Sequence, residues 1–132
     1  MSEFYIEKRI YYHDTDCGGV VYYANYLKHL EEARTEFCYH KGINLKELSN
    51  KGILFVVANL EVTYKAPARY QDIIRIYTHT EDVRRASLKF IQEIKKDNLT
   101  LVIAKTTWVC VGNNFKSQSM PENIKRILAS KE

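Results

Sequence analysis

Between Tyr23 and His40 the apolar residues recur with a helical period, and the rest of the chain is dominated by shorter runs of a different period. At about 100° per residue, Tyr23, Tyr26, Leu27, Leu30, Ala33 and Phe37 share one face, while Asn25, Lys28, Glu32, Thr35 and Glu36 share the other. Gly42 is the expected stop. A short helix at residues 45–50 should end before Gly52, and from there the period becomes two. In LFVVANLEVTY the even positions Leu54, Val56, Ala58, Leu60, Val62 and Tyr64 are all apolar, which predicts one buried strand face. Pro67 in APARYQD breaks the pattern. Residues 73–82, 86–96 and 99–112 read as three more strands, with Asp97-Asn98 as a hairpin turn. Ahead of the helix, FYIEKRIYY (residues 4–12) alternates with Phe4, Ile6 and Ile10 on one side and predicts a first strand. In SMPE, Ser119 suits an N-cap, Pro121 the first turn and Glu122 a capping box, opening a short closing helix over NIKRIL.

One long helix cannot cover both faces of an antiparallel sheet. The economical packing is an α+β fold in which a curved antiparallel sheet wraps around one long central helix, leaving the other face and an edge for a partner subunit. The sequence has 132 residues without a linker, repeat or low-complexity segment, so a single domain over residues 1–132 is expected. A chain of that length buries about two thirds of its unfolded surface and needs no metal or disulfide staple.

Ten tyrosines are many for this length. They suit half-wet walls, where the ring is buried and the hydroxyl finds a partner. The net charge of +4 is mild: it is compatible with a phosphate-bearing small molecule and argues against nucleic acid. Cys17, Cys38 and Cys110 are odd in number and lack metal-type spacing, so neither a disulfide framework nor a zinc site is predicted. Residues 1–12 do not have the charged-then-apolar build of a signal peptide, and no run approaches membrane-spanning length. A reducing cytoplasm without membrane insertion is the expectation.

The chemistry concentrates in HDTDCGGVVYY. Asp16 lies in a glycine turn that runs toward a helix start near Tyr22 or Tyr23. The first turn of a helix offers unpaired N–H groups and the positive end of a dipole, which can hold a developing oxyanion. A carboxylate beside them can attack a carbonyl or activate water. Gly18 and Gly19 let the backbone turn sharply and approach a ligand. The pattern suits acyl transfer; a solvated acidic turn is the plainer alternative.

The stretch YYHDTDCGGVVYYANYLKHLEEARTEF resembles the signature of hotdog-fold acyl-CoA thioesterases of the 4-hydroxybenzoyl-CoA thioesterase family, and within it the YbgC type encoded with the Tol–Pal envelope system of bacteria. The resemblance continues through VTYKAPARYQDIIRI and LVIAKTTWVCVG. It implies a hotdog fold and hydrolysis of acyl-CoA, or of acyl carrier protein thioesters, in lipid metabolism. Asp16 falls on the catalytic aspartate as general base or nucleophile, the Tyr23 N–H on the oxyanion donor, and Gly19 on the turn between them. Asp14 would serve the loop's hydrogen bonding. Relatives often carry histidine at the place of Tyr23, and His13 is a candidate to compensate. The usual D-G hairpin after the last strand is replaced by GNNFKSQS. No cofactor is implied beyond coenzyme A as part of the substrate. The family further implies a homodimer, pairing into a homotetramer.

Arg84, Arg85 and Lys89 form a basic cluster. By themselves they could be a solvated edge that discourages aggregation; the resemblance makes them substrate-binding candidates for the coenzyme A phosphates. Arg69 is a weaker one. A cysteine nucleophile at Cys17 lacks a histidine partner in pattern, and Cys38 and Cys110 read as core. Glu31 and Arg34 are three apart and predict an ion pair; His29 and His40 read as surface helix residues. Competing readings are a hotdog hydratase, whose histidine motifs are missing, and a binding or scaffold protein of the envelope system.

Overall fold

The computed structural model describes residues 3–131. Strand β1 (Tyr5–Arg9) is followed by a 3-10 turn at Tyr12–Asp14 and helix α1 (Asn25–His40). Then come α2 (Leu45–Asn50), β2 (Leu54–Tyr64), β3 (Ile73–Glu81), β4 (Ser87–Lys96), β5 (Leu99–Val111) and α3 (Glu122–Ala129). The five strands form one antiparallel sheet in the order β1-β3-β4-β5-β2. Because β1 and β2 are the two edges, the connection between them must cross the whole sheet. Helix α1 makes that crossing.

In β3, β4 and β5 the even residues face the helix: Ile76 pairs with Ile94, Ile94 with Val102, and Phe90 with Thr106. Strand β2 departs from the expected alternation. Its register against β5 shifts between Val57 and Asn59, so Phe55 and Val57 pair with the helix-facing Cys110 and Trp108, while beyond Ala58 it is Leu60, Val62 and Tyr64 that take that side. One extra residue in a bulge moves each later side chain across the sheet, a change that period counting cannot detect.

Helix α1 begins at Asn25, two residues later than the periodicity suggests, because the chain is still in a turn there: Asn25 N–H donates to the Tyr22 carbonyl at 2.8 Å. Its far end closes as predicted. Gly42 adopts φ 85°, Gly42 N–H bonds to the Tyr39 carbonyl, and Ile43 N–H reaches back to that of Cys38. Leu27, expected on the buried face, is 36% exposed. Asn44 caps α2 by accepting from Glu47 N–H at 3.1 Å. Helix α3 departs from its predicted start, since Pro121 occupies the cap position and Ser119 instead accepts a hydrogen bond from Arg85.

The interior has two apolar clusters. One joins Ile10, Val21, Tyr26, Leu30, Ala33 and Ala68 to the sheet residues Ile74, Ile76, Ile94, Val102 and Ala104. The other is built on Phe37, Ile43, Leu88, Phe90, Trp108 and the α3 residues Ile124 and Leu128. Full burial of each such large side chain contributes about 1.5–3 kcal/mol. Buried polar groups run between the clusters. Arg34 Nη1 donates to Gln92 Oε1 (3.2 Å), and Gln92 Nε2 donates to the Leu30 carbonyl (2.9 Å) and to Thr78 Oγ1 (3.1 Å). The expected Glu31–Arg34 ion pair does not form: Glu31 accepts from Thr35, and Arg34 turns inward, 6% exposed. Burial holds its guanidinium below its ordinary pKa.

Candidate active site

Residues 14–22 fold into a miniature hairpin. Tyr22 N–H donates to the Asp14 carbonyl (3.0 Å), Thr15 bridges to Val21, and Asp16 N–H donates to the Val20 carbonyl (3.0 Å). At its tip Gly19 N–H closes a turn on the Asp16 carbonyl at 3.0 Å, with Gly19 at φ 78°, a conformation that costs a residue with a side chain energy. The hairpin docks on the β2–β3 connection, where Val21 N–H meets the Ala68 carbonyl and Val20 bridges to Arg69.

Asp16 is exposed at that tip. Gly18 N–H donates to its Oδ1 at 2.8 Å; among the described residues its Oδ2 accepts no hydrogen bond. A Cβ on Gly18 would lie 3.2 Å from Oδ1, so the close approach depends on glycine. Tyr23, 60% exposed, lies just beyond the base of the hairpin and ahead of α1 rather than in its first turn. Among the described residues its N–H has no partner, while its carbonyl accepts from Tyr64 Oη at 3.1 Å. The loop therefore presents a carboxylate oxygen and a backbone donor, both unoccupied by protein.

Tyrosines wall the site. The Tyr22 and Tyr23 rings are 4.7 Å apart, Tyr23 meets Tyr64 edge-on, and Tyr26 lies 5.7 Å from Tyr64. Tyr26 Oη accepts from Ala68 N–H at 2.9 Å, and burial raises its pKa. The hydrogen bond with Tyr23 raises that of Tyr22. Both phenols stay protonated near neutral pH and are poor bases.

Asp14 fills the structural part expected of it. It is 3% exposed; its Oδ2 accepts from Tyr11 N–H (3.0 Å) and its carbonyl also accepts from Asn25 Nδ2 (2.9 Å). His13 leans toward Asp14, with Nδ1 3.7 Å from Oδ1, and its ring stacks on Tyr11. His29 corrects the sequence reading: it is 5% exposed and faces Asp14. Its position three after Tyr26 and four before Ala33, both buried, was the overlooked signal. His40 is exposed, Cys17 is exposed, and Cys38 and Cys110 are buried.

Arg84, Arg85 and Lys89 gather at the β3–β4 turn. Arg84 Nε and Lys89 Nζ sit 3.0 and 3.7 Å from opposite oxygens of Asp82, whose carboxyl the Arg84 hydrogen bond holds below its usual range. This turn is at the far end of β3 from Arg69 and the Asp16 hairpin, about 30 Å along a nine-residue strand. Within one chain the basic cluster and Asp16 are not brought together.

Residues 11–128 match the family model described as the thioesterase-like superfamily. The chain is 40% identical over 118 residues to the acyl-CoA thioester hydrolase YbgC of Escherichia coli O6:H1, covering 88% of each. Among solved structures, a probable thioesterase from Bartonella henselae superposes with a TM-score of 0.86 at 30% identity, covering 91% of this chain and 100% of that one. A hypothetical protein from Aquifex aeolicus gives 0.90 at 29% identity, covering 95% and 98%.

Proposed function

This chain belongs to the thioesterase-like superfamily of hotdog-fold proteins, an acyl-CoA thioesterase like its relatives, and we propose that Asp16 and the Tyr23 N–H divide the work of hydrolysis between them. The thioester oxygen takes the Tyr23 N–H, so charge developing on it meets a donor already in place. Asp16 Oδ2 removes a proton from a water molecule, and that water's oxygen attacks the carbonyl carbon. The tetrahedral intermediate collapses, the C–S bond breaks, and the departing thiolate recovers the proton from Asp16. Gly19 holds the turn, and Gly18 N–H fixes Oδ1 and thereby aims Oδ2. The observation that carries this reading is that carboxylate oxygen and amide donor, one loop apart, are both free of protein partners.

Asp16 as nucleophile would instead form a mixed anhydride. Its exposure at the hairpin tip favours the general base, because water reaches it freely. Asp16→Asn, nearly isosteric, should lower acyl-CoA turnover at least about a hundredfold without unfolding the protein; near-parent turnover sinks the assignment. A single turnover in heavy-oxygen water separates the two roles. Direct attack by the activated water must place label in the released acid, whereas an anhydride opened at the Asp16 carbonyl leaves label on Asp16 and the acid unlabelled; that second outcome would overturn the general base.

Substrate grip is proposed to involve two subunits. The β2 edge leaves Val57, Leu60 and Tyr64 between 38% and 51% exposed on a strand eleven residues long that pairs with β5 on one side only. Pairing there would form the dimer, dimers would pair into a tetramer, and one subunit's Arg84, Arg85 and Lys89 would serve the other's Asp16 by holding coenzyme A phosphates. An acyl carrier protein thioester would undergo the same chemistry. Among the described residues no helix is long and apolar enough to cross a membrane. Three free cysteines fit the reducing cytoplasm proposed as its compartment.

A further inference from the structure

We propose that His29 is a positioning residue for this reaction, holding the Asp16 hairpin through Asp14. The inference rests on the functional reading above and adds to it a residue outside the hairpin. His29 Nε2 lies 3.3 Å from Asp14 Oδ1, and the two side chains are 7% and 4% exposed. Both imidazole nitrogens are shut off from solvent and neither has a well-aligned hydrogen-bond partner among the described residues; the Asp14 carboxylate, 3.3 Å from Nε2, is the polar group the ring faces. The charged groups around the ring come from every element packed on it. Asp14, which His13 approaches from the solvent side, belongs to the 3-10 turn, Glu32 to the next turn of α1 (3.8 Å from Nδ1), and Lys8, bonded to Glu32, to β1.

The consequence lies in what Asp14 holds. Its carboxylate takes Tyr11 N–H, and its carbonyl takes both Tyr22 N–H and Asn25 Nδ2. One residue thus ties together the entry to the hairpin, its return strand and the first residue of α1. With Nε2 protonated, neutral His29 sets its N–H dipole 3.3 Å from the carboxylate that anchors this junction, an electrostatic contact rather than an aligned hydrogen bond. Burial pushes the His29 pKa below its ordinary value and outweighs the opposing pull of Asp14, so the ring is neutral at neutral pH. Acid places a proton, and with it an unwelcome charge, inside the junction.

The test compares the parent with His29→Phe, which keeps a ring, His29→Gln, which keeps an amide donor, Asp14→Asn, and the Phe and Asn changes combined. His29→Phe should lower kcat about tenfold with KM within twofold, because a displaced base misaligns the transition state while substrate grip persists. His29→Gln should stay within about threefold of the parent, and the double variant should be no slower than Asp14→Asn alone. Unchanged kcat in His29→Phe, equal loss in His29→Gln, or additive losses would overturn the proposal. Should His29→Phe fail to fold, the acid limb of kcat decides: in His29→Gln it must move to lower pH, and an unmoved limb refutes the brace. Amide exchange at Tyr22 and Asp16 needs no catalysis. Faster exchange in His29→Phe but not in His29→Gln, in a parent that hydrolyses no thioester, would refute the functional reading and leave the brace standing; unchanged exchange would refute the brace.

Discussion

Tyr64 Oη donates to the Tyr23 carbonyl at 3.1 Å, tying the last residue of edge strand β2 to the turn that leads into α1. The same ring meets Tyr23 edge-on and lies against Tyr26. The position of the proposed oxyanion donor therefore depends on a strand forty-one residues away in sequence. Tyr64→Phe keeps the ring contacts and removes only the hydroxyl. With one hydrogen bond worth about 1 kcal/mol, kcat should fall roughly fivefold with KM little changed. A parent-like kcat would mean that the turn holds itself.

The two turn glycines should fail differently. A methyl at Gly19 meets no atom within 4 Å but sits at φ 78°, so Gly19→Ala should cost about 1 kcal/mol of stability through the backbone. Gly18→Ala places its Cβ 3.2 Å from Asp16 Oδ1 and should lower kcat while shifting the denaturation midpoint less. Urea titration beside steady-state kinetics checks both, and the reverse ranking would contradict this account of the turn.

Arg84 and Arg85 bear on substrate grip. Replacing both with Ala should raise KM for acyl-CoA and leave kcat mostly unchanged, the mark of lost uniform binding. A pantetheine thioester lacking the nucleotide should show a smaller effect. Equal losses on the two substrates would return these arginines to the role of a charged sheet end.

Stability should respond to acid through His29. Its folded pKa lies below the ordinary 6.5, so between those two values the unfolded chain binds more protons. This contribution is fully present above about pH 6.5 and is lost as pH falls through the depressed folded value. His29→Phe should flatten that part of the stability profile. Chemical denaturation at intervals between pH 7.5 and about 5 tests it; a variant profile parallel to the parent's would assign the acid loss elsewhere.

Much of the architecture was legible in sequence because period and punctuation agree. The α1 stop at Gly42, the strand at Leu54–Tyr64 and the Asp97-Asn98 hairpin turn are each explained by local chemistry. What escaped was tertiary. The Ala58 bulge leaves every residue type unchanged and alters only the facing of the rest of β2. His29 and Arg34 have the composition of a surface, yet each sits three or four residues from buried neighbours and finds polar partners inside. Ser119 matched a cap motif but was taken by Arg85. The Asp16 turn could be recognised from its residues; the separation of the basic cluster from it within one chain needed the strand order.

The seam of Arg34, Gln92, Thr78 and Thr106 between the two apolar clusters bears on how this interior can change over time. Val21 of the Asp16 hairpin, with Ile10 and Ala68, belongs to the aliphatic cluster, whereas Phe90, Trp108 and Leu128 belong to the aromatic one. Substitutions in groups that share no apolar neighbour tend to add rather than couple. Drift among the aromatic residues can therefore proceed without re-tuning the support of the hairpin. The seam residues themselves have no such latitude, because each hydrogen-bonds another member in the interior and losing one leaves a buried group without its partner.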